Sequence, residues 1–155
     1  MWLGFDFGTQ SVRVVAVSET GRVLAQSSHP LTSRCDGSRQ QQDAEEWWRA
    51  AVSTCDAALA ALPTLAIRGL AIDNTSGTIL LIDKSGNALT AGLMYDYTRA
   101  ADEARRANEA GADILGTLGY RIQRSWALPK LLWLVRERRG VISGAPFAHQ
   151  VENKL

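Results

Sequence analysis

From Trp2 to His29 the chain alternates short apolar runs with polar punctuation. Trp2–Phe7 reads as a buried strand, and Val12–Ser18 as a second, rich in the β-branched residues that suit a pleated surface. Glu19-Thr20-Gly21-Arg22 is a turn of the kind that joins antiparallel strands, and Val23–His29 supplies a third strand. The pattern therefore predicts an opening three-stranded meander whose first turn is Gly8-Thr9-Gln10-Ser11. Leu31–Gln42 is polar without a period and reads as a surface loop.

The period becomes helical after Asp43, a candidate N-cap, with Glu46 placed to complete a capping box. Trp47, Ala51, Ala58 and Leu62 recur at helical spacing until Pro63 stops the run. Ile67–Asp73 and Thr78–Ile82 read as strands, and the turn Asp83-Lys84-Ser85-Gly86-Asn87 closes the second. Ala91–Tyr95 reads as a short strand ending at Asp96-Tyr97-Thr98-Arg99. Thr98–Ala110 is a charged helix ended by Gly111, and Trp126–Arg139 a further helix with Leu128, Leu131, Leu132 and Val135 on one face. Phe147-Ala148-His149-Gln150 opens one more element. A meander followed by alternating helices and strands predicts an α/β layer fold with a mixed sheet.

Composition narrows the function classes. The 155 residues suffice for one domain or for part of a larger one, and 46% apolar with 21% charged residues is ordinary for a globular chain. Lys plus Arg total 17 against 16 Asp plus Glu, so the net charge of +1 offers no field for nucleic acid or an anionic membrane. Cys35 and Cys55 stand apart with no zinc-like spacing, which suits a reducing compartment, and Cys55 reads as a small buried residue. No basic leader precedes a long apolar run, and no stretch approaches the roughly 20 apolar residues of a membrane span, so a cytoplasmic protein is expected.

Three polar clusters could carry chemistry. In "DFGTQSVR", Gly8 allows close backbone approach, and consecutive amides there could form an anion nest. Thr9, Gln10 and Ser11 add donors, Arg13 adds fixed charge, and Asp6 could hold Mg²⁺ through water. These parts suit phosphoryl transfer but are no P-loop, because the turn leads into a strand. A plain hairpin with solvated polar residues explains the same stretch. Asp73-Asn74-Thr75-Ser76-Gly77 follows a strand at the end where α/β sheets bind ligands, and Asp96 follows another.

Six stretches, in order, resemble the N-terminal part of the FGGY carbohydrate kinases. They are "DFGTQSVR", "QQDAEEWW", "DNTSGT" with "LLID", "LMYDYTRA", "ALPKLLWL" and "FAHQ". The resemblance implies an actin-like, ribonuclease H-type α/β fold with a mixed sheet, of which residues 1–155 are an incomplete N-terminal domain and a C-terminal nucleotide-binding domain lies elsewhere. It implies ATP and Mg²⁺ as cofactors, with Asp6 the Mg²⁺-water ligand and Gly8, Thr9, Gln10, Ser11 and Arg13 the phosphate-facing turn. Thr75 and Ser76 would line the sugar site, and Asp96 would accept hydrogen bonds from sugar hydroxyls.

"DNTSGT" leans towards a ribulose-type ketopentose, with xylulose second and glycerol behind, since glycerol-type members place Arg-Glu where Ser76-Gly77 stands. The family's general base follows its "HQ" stretch. Val151-Glu152-Asn153-Lys154-Leu155 departs from that pattern, so no general base is expected within residues 1–155 and no turnover from them alone. Bland roles stand beside these. Asp73 caps a turn, Arg99 is solvated, Lys130 snorkels from an apolar face, Trp47, Trp48, Trp126 and Trp133 serve the core, and His149 satisfies a backbone group. A non-catalytic actin-like module, driven to dimerise by exposed apolar edges, is the alternative from another class. An actin-like ATPase or chaperone relative would need no polyol site at "LMYDYTRA".

Overall fold

Strand Ser11–Val17 (β2) shows the alternation that organises its surroundings: Val12, Val14 and Ala16 are buried, and Arg13 between them is exposed. In this computed structural model, which describes residues 1–37, 39–60, 62, 66–137 and 147–150, β2 pairs antiparallel with Trp2–Phe7 (β1) and Val23–Pro30 (β3). The predicted meander is present with its ends within a residue or two. Gly69–Asn74 (β6) adds to β1 in parallel, giving a mixed sheet of order β3-β2-β1-β6.

Helix Ala44–Leu59 (α1) lies on β2 and β3. Its inward face is small, Ala50 and Ala51 against Val12, with Phe5, Phe7 and Leu31 around them. Met1, Leu3 and Ala16 form the other half of this core with Cys55 and Leu59. Cys55 is half-buried there, and burial, then the neighbouring Asp56 charge, pushes its thiol pKa up. Full burial of Val12 and Val14 stabilises by about 1.5–3 kcal/mol each relative to exposure. The Asp43 Oδ1 cap accepts the Glu45 N–H at 3.0 Å as expected. The capping box is not formed: Glu46 Oε1 accepts the Thr32 N–H at 2.9 Å, fastening the incoming loop to the helix start instead. The helix ends at Leu59, so Leu62 lies past it, and Pro63 falls outside the described residues.

The chain divides into two compact units. Met1–Ser33 with Asp43–Thr75 is the one just described; Arg34–Gln42 with Ser76–Val151 is the other. In the second, Arg34–Asp36 (β4) and Arg39–Gln42 (β5) form a hairpin where the polar pattern predicted a loop. Both strands lack apolar alternation because main-chain pairing holds them, β5 to Gly92–Leu93 (β8). Ile79–Ile82 (β7) pairs with β8 on one side and with Phe147–Gln150 (β9) on the other. The β7 residues Ile79, Leu80 and Leu81 are all buried, as a strand covered on both faces requires.

Ala101–Ala110 (α2) ends at Gly111 as predicted. Ala112–Leu118 (α3), closed by Gly119 at φ +68°, was not predicted: no residue of it is buried, so no apolar stripe advertises it. Ala127–Glu137 (α4) buries Pro129, Lys130, Trp133 and Leu134. The expected face is therefore corrected, because Leu128, Leu132 and Val135 are exposed. Both stripes have helical spacing. The one carrying Trp133 turns inward, because its ring meets Tyr97 edge-on at 5.3 Å and joins Ile79, Leu81, Leu93 and Ala100 in the core. Trp47 and Trp133 are core as expected; Trp48 and Trp126 are exposed. Among the described residues, no helix is long and apolar enough to cross a membrane.

Candidate functional site

In the first unit β1 ends at Phe7 and the chain reverses through a tight turn. The Gly8 N–H donates to the Ser11 carbonyl at 3.0 Å, leaving Thr9 and Gln10 at the tip, and the Gln10 carbonyl accepts the Leu31 N–H at 2.8 Å. The Gly8 amide is therefore engaged within the turn, unlike the open nest the glycine suggested. What Gly8 supplies is room: a Cβ there would stand 3.3 Å from both Arg13 Nη2 and the Ser11 oxygen. The turn offers a ligand its side chains.

Asp6 and Arg13 face each other across the β1–β2 ladder, with Arg13 Nη2 2.8 Å from Asp6 Oδ2. Their side chains are 42% and 61% exposed, so the pair adds at most about 1 kcal/mol to stability. Both line an open cleft of about 690 Å³ with Gln26, Ser27 and Ser28. A single carboxylate with water suits Mg²⁺ better than an all-protein cage does, and Asp6 is a half-exposed carboxylate on this cleft. Among the described residues, no group of three or more His, Cys, Asp or Glu side chains could hold a metal directly.

The parallel pairing of β6 with β1 sets Asp73 beside Asp6, so that Asp73, Asp6, Arg13 and Ser28 form one row across four strands. Asp73 Oδ1 accepts the Asn74 N–H at 2.9 Å, the expected local cap. Thr75 donates its N–H to the Phe7 carbonyl at 3.3 Å, which places it next to the phosphate-type turn. The Asp6–Asp73 neighbourhood was not foreseen, since no local pattern names a parallel partner.

In the second unit Ser76 and Gly77 line a cavity of about 460 Å³ with Tyr95, Ser125, Trp126 and Leu128. Gly77 sits at φ +81°, and a Cβ there would lie 2.6 Å from the Ser125 carbonyl oxygen, so only glycine fits. Tyr95 and Trp126 present exposed rings at this cavity. Asp96 is exposed beside Tyr95 but is not part of the lining. Tyr95 and Ser125 went unnamed in the sequence, and Trp126 was assigned to the core. The aromatic before Asp96 was the available signal.

Lys130 overturns its expected snorkelling. It is 0% exposed, and its Nζ donates to the Gly77 carbonyl at 2.7 Å and the Met94 carbonyl at 2.6 Å. Burial lowers its pKa to about 8, with the Asp96 charge opposing the shift. Arg99 is exposed as expected, yet its guanidinium lies 4.9 Å over the Trp133 ring, a cation–π contact. The His149 side chain lies outside the described residues.

A xyloylose kinase of Brucella ovis superposes with a TM-score of 0.87 at 23% identity over 95% of this chain and 31% of its own, which identifies the actin-like ATPase fold. The profile of the "FGGY family of carbohydrate kinases, N-terminal domain" matches residues 1–149, and the chain belongs to that family. The xylulose kinase of Klebsiella pneumoniae is 31% identical over 145 residues, covering 92% of this chain and 30% of that enzyme. The xylulose kinase of Escherichia coli strain K12 is 28% identical, covering 88% of this chain and 28% of its own length. The chain thus spans under a third of the relatives it matches.

Proposed function

We propose that residues 1–155 supply the phosphate turn and part of the sugar-contacting surface of an ATP-dependent kinase that phosphorylates a ketopentose in the cytoplasm, the nucleotide's remaining contacts coming from a C-terminal domain. The observation that carries this is Asp6, half-exposed at the end of β1 beside Arg13 and opening on a cleft. Arg13 and the Thr9, Gln10 and Ser11 side chains receive phosphate oxygens, and Gly8 leaves them space. Asp6 would hold Mg²⁺ through water, and the ion would supply charge neutralisation to the phosphates. Thr75, Ser76 and Asp96 hold the sugar hydroxyls, Asp96 as acceptor.

In the transfer, the sugar hydroxyl oxygen attacks the γ-phosphorus in line, the bond to the β–γ bridging oxygen breaks, and ADP leaves. The hydroxyl proton passes to a carboxylate, a role given to none of the described carboxylates. "DNTSGT" supports a ribulose-type sugar, and xylulose kinases among the relatives support D-xylulose. Titration calorimetry on this chain with each ketopentose and with glycerol tests the assignment, the tighter ketopentose deciding between the two sugars. MgATP should bind, with Asp6→Asn weakening it roughly tenfold or more, and D-ribulose or D-xylulose should bind ahead of glycerol. No ADP release is expected from these residues alone. Folded protein that binds neither MgATP nor a ketopentose, or MgATP affinity indifferent to Asp6→Asn, overturns the assignment.

A second reading, a self-associating module without catalysis, is favoured by one feature. Leu70 and Ile72 are exposed along β6, the edge strand of its sheet among the described residues, and Ile67 is exposed just before it.

A further inference from the structure

Three separate segments of the second unit meet at one ammonium group. Lys130, on the first turns of α4, reaches the Gly77 carbonyl before β7 and the Met94 carbonyl after β8. Each pinned atom is next to a wall of the 460 Å³ cavity. Ser76 precedes Gly77, Tyr95 follows Met94, and the Ser125–Trp126 turn leads into the helix that carries Lys130. Gly77 lies close against the same turn, since its φ is +81° and an added Cβ would stand 2.6 Å from the Ser125 carbonyl oxygen.

A buried lysine is a poor choice for packing alone, because an apolar side chain of the same length would avoid dehydrating a charge. What it provides is fixed donors, at 2.7 and 2.6 Å, to two loop carbonyls 17 positions apart in sequence (94 − 77). Its pKa near 8 does not undo this, because a neutral amine keeps two N–H groups for the same two acceptors.

We propose that Lys130 is a positioning residue of the substrate site: by tying the Gly77 and Met94 carbonyls together it sets the spacing between Ser76 and the Tyr95–Asp96 segment, to which the sugar is assigned. The inference rests on the sugar-site assignment above, and it adds a residue that need not touch the sugar.

The test compares the full chain with Lys130→Met, which keeps the stem and removes the donors. Amide exchange at Gly77–Thr78 and Tyr95–Asp96 should rise roughly tenfold or more in the variant while Val12–Ala16 stays protected. D-xylulose affinity, read by calorimetry, should fall roughly tenfold or more with MgATP affinity held within about twofold, since misplacing a pocket wall costs binding only there. A folded variant with unchanged exchange and unchanged D-xylulose affinity overturns the proposal, as does an equal loss for both ligands. Should wild-type protein bind no ketopentose, the substrate assignment fails and the exchange result alone decides whether Lys130 clamps the loops. If Lys130→Met does not fold, Lys130→Gln, which keeps a donor but not the reach, is judged by the same outcomes.

Discussion

At the scale of single residues, function and stability pull apart at Lys130. Its amine titrates near 8 in the folded chain against 10.5 for an ordinary lysine. Between those values the unfolded chain binds the extra proton, so stability rises with pH as the folded amine sheds its dehydrated charge. The penalty is fully present below about pH 8 and gone above about 10.5. Chemical denaturation of wild type and Lys130→Met at about pH 7 and about pH 9.5 should show wild type gaining roughly 2 kcal/mol on the variant over that interval. A constant difference would mean that the lysine's proton is not linked to folding. Gly77 teaches the complementary lesson. "TSG" reads as a polar knot, yet the glycine is required by a positive φ and by the Ser125 carbonyl, which would stand 2.6 Å from any Cβ there, neither of which a single position announces.

Elements were legible where their ends and faces are decided locally. Asp43 caps α1 through its neighbour's amide, a bond spanning two residues. Asp43→Ala should therefore lower the unfolding free energy by about 1 kcal/mol, seen as a lower denaturant midpoint at unchanged slope. Its partner in the expected box, Glu46, found Thr32 instead, because a loop amide brought close by folding competes for the same carboxylate. The β4–β5 hairpin escaped notice for a related reason. Strands held by main-chain pairing, β4 to β5 and β5 to β8, need no apolar alternation, and Arg34–Gln42 has none. α4 had two candidate stripes, and spacing alone could not rank them. The Tyr97–Trp133 contact did.

Across the whole molecule, apolar surface is left open on both units. Leu70 and Ile72 are 47% and 37% exposed on β6, and Leu128, Leu132 and Val135 are exposed on α4. Exposed apolar residues of this kind favour association. Sedimentation velocity of this chain should show a concentration-dependent rise in mass that Leu70→Lys with Ile72→Lys suppresses. A monomer at all concentrations, with or without the substitutions, would remove the module reading and leave the kinase assignment standing on its ligand titrations.

What the residues settled by themselves were the features that depend on near neighbours: the opening strands, the turn at Gly8–Ser11, the Asp43 cap and the ordered stretches that mark the family. Tertiary structure decided what depends on distant ones. It set Asp73 beside Asp6 by a parallel pairing 67 positions apart (73 − 6), turned Lys130 inward onto two carbonyls, and sent Trp126 out to a cavity wall. The physical reason is that periodicity reports which side of an element is apolar. Which partner that side meets, and which polar group is then buried with it, is fixed only when remote segments share the same space.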